Sequence, residues 1–218
     1  MLRDIINVKL LAVVFLPACL AAPGVRGCQP TNTTYSGDAY GASVRVLGLQ
    51  VTLSDTGPLP SAGGSLSKQL LSANVPGVLN LGVLTESTTG GSNAASSRSS
   101  VANLDLDVAG VSITASVLTA NASAQSCAGL TPGVAGSSNI VGLVVDGQRI
   151  TVTGAPNQTI PLIVGALIIN EQISSVTNSS CGGSANMKVN ALHLTVAGIA
   201  DVVISSAQAG VSSVAPPA

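Results

Sequence analysis

The sequence predicts an all-β protein, an antiparallel β-sandwich built from hairpins with little or no helix beyond an N-terminal export signal. Four stretches, VRVLGLQVTL, LDLDVAGVSIT, LVVDGQRITV and LHLTVAGIADVV, alternate apolar and polar residues into a glycine turn and out again, which is the strand period. Their glycines, Gly48, Gly110, Gly147 and Gly198, are irregularly spaced, so a sandwich fits better than a solenoid of fixed period. Composition agrees: 46% of the 218 residues are hydrophobic and only 8% are charged, and the Val, Ile and Thr content suits a pleated, half-buried surface.

Taken in order, Met1 to Lys9 carries Arg3 and Lys9, and the apolar run 10–16 leads into Pro17-Ala18-Cys19-Leu20-Ala21-Ala22. This is the form of a secretory signal, expected over residues 1–27, and it places the mature protein outside the cell or at its surface. Leu16-Pro17-Ala18-Cys19 approximates a lipobox with an unusual proline, making Cys19 a candidate lipidation site; ordinary cleavage between Ala21 and Gly27 is the alternative. Residues 28–38 read as a flexible lead-in, 39–211 as one β domain and 212–218 as a disordered tail.

Within the domain, residues 42–53 alternate around Gly48, 55–64 form a Pro- and Gly-rich loop, and 65–73 favour strand over a weak helical pattern. Residues 75–85 give another strand pair, and 86–100 (ESTTGGSNAASSRSS) are of low complexity and expected to be a mobile surface loop. Residues 101–124 form a long hairpin turning near Ala109-Gly110, with Leu104, Leu106 and Val108 on one face and Asp105 and Asp107 on the other. After a loop over 127–139, Asp146-Gly147 sits between Leu143 and Val145 on one side and Ile150 and Val152 on the other, the signature of a type I′ hairpin. The loop 154–158 follows, then the apolar run 160–169, about half the ~20 residues of a spanning helix and so read as a core strand. A loop over 174–186 precedes a last hairpin, 189–196 turning near Ala197-Gly198 into 199–204.

A net charge of −1 offers no field to gather nucleic acid or anionic lipid, so no nucleic-acid partner is expected, and a membrane is met only through a lipid anchor at Cys19. Beyond the signal the aromatics are Tyr35 and Tyr40, too few for stacking platforms or for the aromatic girdles of an outer-membrane barrel. One histidine and no CxxC spacing argue against zinc, and no cofactor is expected.

The chemistry-bearing residues are few. Cys127 and Cys181 lie in loops flanking the 140–173 stretch and are expected to form a disulfide, closing a loop of about 55 residues worth ~4 kcal/mol at most. Cys28 is then unpaired or near the cleavage point. Alternation places Glu171 on the apolar face of Leu167, Ile169 and Ile173, where a carboxylate needs a partner. Arg149, His193 or the amides of the 154–158 loop are candidates, and Glu171 with Arg149 is read as a buried polar pin that sets the register. An acid–base role would need a second carboxylate, from Asp105, Asp107 or Asp146. His193 is the only candidate base for a hydrolase, and no Gly-x-Ser-x-Gly elbow accompanies it. Four N-x-S/T sequons, at Asn32, Asn121, Asn157 and Asn178, are close to the roughly two or three that the Ser/Thr content produces by chance and carry no weight. Thr151-Val152-Thr153 is one triplet of the kind that flat-surface or ice binders stack.

GAPNQ at 154–158, NEQ at 170–172 and VNALH at 189–193, followed by an apolar hairpin, resemble the choice-of-anchor P family of exported bacterial surface domains. The resemblance spans about residues 37–210 and implies a shared extracellular domain with varied tethers; it implies no activity or ligand. No C-terminal sorting segment is visible, so either Cys19 is the anchor or the protein is released. The expected function is that of a non-enzymatic structural or adhesive β domain meeting a surface or matrix component. The alternatives are a polymer-acting hydrolase using Glu171 and His193, and an ice or flat-surface binder.

Overall fold

A computed structural model describes residues 32–126, 131–179 and 182–214. Among them there is no helix, and the strands form two antiparallel sheets that pack as a sandwich. The first sheet contains β1 (Asn32–Val46), β2 (Leu49–Asp55), β12 (Gln158–Leu162), β13 (Gly165–Ser179), β14 (Gly182–Val196) and β15 (Ala200–Val214), in the order β12-β13-β14-β15-β1-β2. The second contains β3 (Gly64–Leu70), β4 (Ala73–Val75), β5 (Leu79–Leu81), β6 (Leu84–Gly91), β7 (Ala94–Val108) and β8 (Val111–Gln125), together with β9 (Gly133–Val141), β10 (Val144–Val145) and β11 (Gln148–Arg149). Its central pair β7-β8 is flanked near the hairpin turns by β5-β4 and β10-β11, and at the far end by β6-β3 and β9.

The tight turns predicted from glycine are present and collect at one end. Leu47-Gly48, Ala109-Gly110 and Asp146-Gly147 each have positive φ at both positions, which is the type I′ requirement. We call this the turn end. Ser92-Asn93, also left-handed at both positions, marks the opposite end, with the beginning of β1 and the end of β15.

Halfway along, a line of broken pleat crosses the first sheet. Tyr40 pairs with Ser206 and Ala42 with Ile204; Asn190 pairs with Ser206 and Leu192 with Ile204; Ile169 pairs with Leu192 and Glu171 with Asn190. The positions passed over, Asn170, Ala191, Ser205 and Gly41, continue into Ser54 on β2. Asn170, Ser205 and Ser54 have φ of 53°, 57° and 53°, the left-handed region that Asn and Ser tolerate at some cost. The second sheet repeats the device at Asn103, φ 52°, opposite Ser116. One extra residue per strand exchanges the two faces. So Met187 and Val189 point inward on one side of the line, and Leu192 and Leu194 on the other.

The line divides the interior into two halves of different composition. Toward the turn end the core is aliphatic, with Leu79, Leu106, Ile113, Leu143, Leu167, Ile169, Leu192, Leu194 and Ile204 fully buried. Toward the far end it consists mostly of Ala, Ser and Thr, including Ala39, Ala95, Ser97, Ser99, Ala120, Ala122, Ala207 and Ala209. Such short side chains let the sheets approach within the reach of one hydroxyl. Ser99 Oγ donates to Tyr40 O at 3.0 Å, Ser205 Oγ to Ser99 O at 3.1 Å and Ser126 Oγ to Gly183 O at 3.2 Å. Gly37 is required by this closeness, since a Cβ there would lie 2.6 Å from Thr88 Oγ1 and 2.9 Å from the backbone O of Gln208.

Several segments expected to be loops are strands. Residues 86–100 form the β6–β7 hairpin rather than a mobile loop, β9 fills most of 131–139, and β13 and β14 run through 174–179 and 182–186. The lead-in is ordered as β1 from Asn32, and β15 extends to Val214 into the expected tail. In most of these stretches the inward residues are small or polar, with Tyr35 and Val134 as exceptions, so an apolar alternation was absent although the two-residue period was there. The apolar run 160–169 is not one core strand: it turns at Ile163-Val164, both exposed, between β12 and β13.

Candidate functional site

Glu171 does not share the face of Leu167 and Ile169. Asn170, left-handed, shifts the pleat by one residue, so Glu171 faces outward and Gln172 turns inward to donate to Gly136 O at 3.1 Å. The Glu171 carboxylate accepts from Asn190 Nδ2 at 2.5 Å and meets His193 Nδ1 at 2.9 Å; Asn190 Oδ1 accepts from Ser206 Oγ at 2.7 Å. With 16% side-chain exposure Glu171 is a paired, largely enclosed carboxylate joining β13, β14 and β15. Arg149 has no part in this: it is exposed on β11, pairing through its backbone with Val144. Arginine stays at the surface there because Asp146-Gly147 closes a two-residue hairpin at the margin of the other sheet.

The second carboxylate near His193 is Asp201, which sequence reasoning did not nominate. Its Oδ1 lies 3.5 Å from His193 Nε2, on the side opposite Glu171. Asp105 and Asp107 are exposed on β7, and Asp146 Oδ1 accepts from Ser112 N at 2.8 Å, all in the other sheet. A histidine base needs one nitrogen held by a carboxylate and the other free to face a nucleophile. Here Glu171 holds Nδ1, while Nε2 is buried, makes no hydrogen bond and faces the Asp201 carboxylate rather than an open cleft. Glu171 and His193 also lie outside the shallow depression bordered by Arg45, Leu47, Thr195 and Asp201.

A buried acid that sequence reasoning placed in a loop is Glu86 on β6, fully enclosed between the sheets. Ser54, left-handed in the line of broken pleat, donates to its Oε2, while Oε1 has no hydrogen-bond partner. Burial raises its pKa to about 7, against the lowering effect of the Ser54 hydrogen bond and with a smaller raising contribution from Asp55. The available signal was the two-residue period of Thr85, Ser87 and Thr89, which sets Glu86 and Thr88 on the opposite face. Asp38 on β1 is also raised by burial, offset in part by Lys188 on β14.

The most extended polar feature is the outer face of β3-β6-β7-β8-β9. Cross-strand register aligns three rows of five. One row is Ser65, Thr89, Ser96, Ser123 and Ala135; the next is Ser67, Ser87, Arg98, Asn121 and Ser137; the third is Gln69, Thr85, Ser100, Thr119 and Asn139. Thirteen of these fifteen side chains are hydroxyls or amides, one is a methyl and one, Arg98, is charged. Neighbours bond within the face, Thr89 with Ser96 at 2.9 Å and Arg98 Nη1 to Asn121 Oδ1 at 3.2 Å. The centre is a shallow depression of about 540 Å³ lined by Ser87, Ser96, Arg98, Asn121 and Ser137. Thr151 and Thr153, by contrast, lie outside the strands, and Thr153 is tied to Gln158 Oε1 at 2.9 Å, so that triplet is not part of a stacked array.

Cys19, Cys28, Cys127 and Cys181, and the expected signal segment, lie outside the described residues. Among the described residues no group of three or more His, Cys, Asp or Glu side chains is placed to hold a metal ion, and no helix is long and apolar enough to cross a membrane. No protein-family model, curated protein or solved structure matches this chain.

Proposed function

We propose that this chain is an exported, surface-associated, non-enzymatic β domain with a structural or adhesive role, of the choice-of-anchor P kind that its GAPNQ, NEQ and VNALH motifs resemble. The observation that carries this reading is the hydroxyl- and amide-tiled outer face of the second sheet. Each hydrogen bond to a partner exchanges one with water and nets only about 1 kcal/mol, so a useful affinity needs many of them held at once. A broad face whose one charge is Arg98 supplies that with little attraction or repulsion by charge, which suits a neutral, hydroxyl-rich surface or matrix component. The doubly flanked His193 favours this over a hydrolase. The Ser126–Gly183 hydrogen bond joins residues next to Cys127 and close to Cys181, which supports a bridge between those cysteines, with Cys19 as a candidate tether.

The test is co-sedimentation of the purified protein with envelope fragments of its own host and with particulate cellulose, together with an assay for released reducing ends. Binding without release is expected, and it should be lost in a Ser87→Glu, Asn121→Glu variant whose melting temperature is unchanged. Binding indifferent to those charges would remove the tiled face from the function, and release of reducing ends would establish the hydrolase alternative.

A further inference from the structure

Open sheet edges invite another strand, and folded proteins usually guard them with charge, proline, bulges or covering loops. Most edges here are guarded. In the first sheet β12 carries Pro161, and the far half of β1 is covered by the segment after β2, through Tyr35 N to Ser61 O at 3.0 Å, Thr56 N to Ala39 O at 3.0 Å and Leu59 N to Gly37 O at 2.7 Å. In the second, β3 carries Lys68 and β11 is two residues long. The far half of β13 differs. Beyond Gln172, whose N donates to Asn157 Oδ1, the run Ile173-Ser174-Ser175-Val176-Thr177-Asn178 pairs with β14 on one side, and among the described residues no backbone hydrogen bond reaches its other side. It contains no charge, proline or glycine, and all six residues are exposed, Ile173 at 57% and Val176 at 45%.

We propose that this open edge is a self-association site, at which a second copy lays its own Ile173–Asn178 antiparallel against the first and joins the two six-stranded sheets across a two-fold axis. Three observations select another copy over a foreign strand. Antiparallel self-pairing sets the same six residues against one another, and none is charged, so the like-charge penalty that usually prevents it is absent. Recognition of a foreign peptide by strand addition draws specificity from pockets for alternate side chains. Here both faces of the strand are exposed and offer none. A two-fold contact also closes after one copy and covers Ile173 and Val176 in both. β9 lies beside this edge, bonded through Gln172 Nε2 to Gly136 O, and is likewise uncharged, so the second sheet presents no charge against the approach.

Sedimentation velocity of the full exported protein across a concentration series tests this, alongside Val176→Lys and Ser174→Lys, each placing a charge on an exposed side chain of the edge. A reversible dimer is expected, with both variants unchanged in melting temperature and weakened in dimerisation by at least about tenfold. A wild-type protein that stays monomeric throughout, or a dimer that both lysines leave intact, overturns the proposal. So does a protein that binds only a host partner while remaining a monomer alone. If one variant does not fold, the other decides.

Discussion

The two halves of the sandwich obtain their stability differently. Toward the turn end, Leu106, Ile113, Leu192 and Ile204 exclude water from an aliphatic interior, and burial of apolar area dominates. Toward the far end, alanines and serines bury little area each, and the sheets are joined by hydroxyls that reach across to backbone carbonyls. The first half should tolerate volume-conserving exchanges and resist loss of volume; the second should tolerate almost no gain. The tiled face and the open β13 edge both belong to the second half, so the part with the smallest side chains inside presents the extended polar surfaces of low charge outside.

The largest effect is expected from Leu106→Ala in the aliphatic half, a loss of about 2–5 kcal/mol from transfer and cavity together, read by denaturant unfolding. A loss under 1 kcal/mol would show that this half does not depend on its volume. Gly37→Val in the small-residue half should cost about 1–3 kcal/mol or more by forcing the sheets apart, whereas the reverse kind of change there, Ala122→Gly, should cost much less. Equal costs would abolish the distinction between the halves.

Glu86 sharpens it with pH. Its pKa, raised from 4.5 to about 7 in the folded protein, means that the fold holds the proton more tightly than the unfolded chain. The associated stability is therefore fully present below about 4.5, declines as pH rises toward about 7 and is absent above, a change on the order of 3 kcal/mol. Glu86→Gln keeps the shape and removes the titration, so its stability between pH 5 and pH 8 should be nearly flat while the wild type falls; parallel curves would mean that Glu86 does not titrate between the sheets. A smaller effect than that of Glu86 is expected from Glu171→Ala, about 1–2 kcal/mol, because it strands the Asn190 amide and one His193 nitrogen at a site still partly open to water. An unchanged melting temperature would remove Glu171 from the set of contacts that tie β13 to β14.

Local sequence determined the all-β class, the turns at Gly48, Gly110 and Gly147, and the inward face of Leu104, Leu106 and Val108, because type I′ turns and apolar alternation depend on neighbours in the chain. It did not reveal the far half. There the inward residues are mostly Ala, Ser and Thr, and whether a serine faces solvent or a carbonyl of the opposite sheet depends on what that sheet brings to it. Tertiary structure alone decided that Glu86 is enclosed, that Glu171 faces outward to Asn190 and His193, and that Asp201 stands on the histidine's other side. For Glu171 the physical reason is the line of left-handed residues across the first sheet: Asn170, Ser205 and Ser54 each invert the alternation for what lies beyond them in their strand, and a single unmarked residue in an otherwise extended strand is where period-counting must fail. Glu86 and Asp201 depend on what the neighbouring strands and the opposite sheet bring to them.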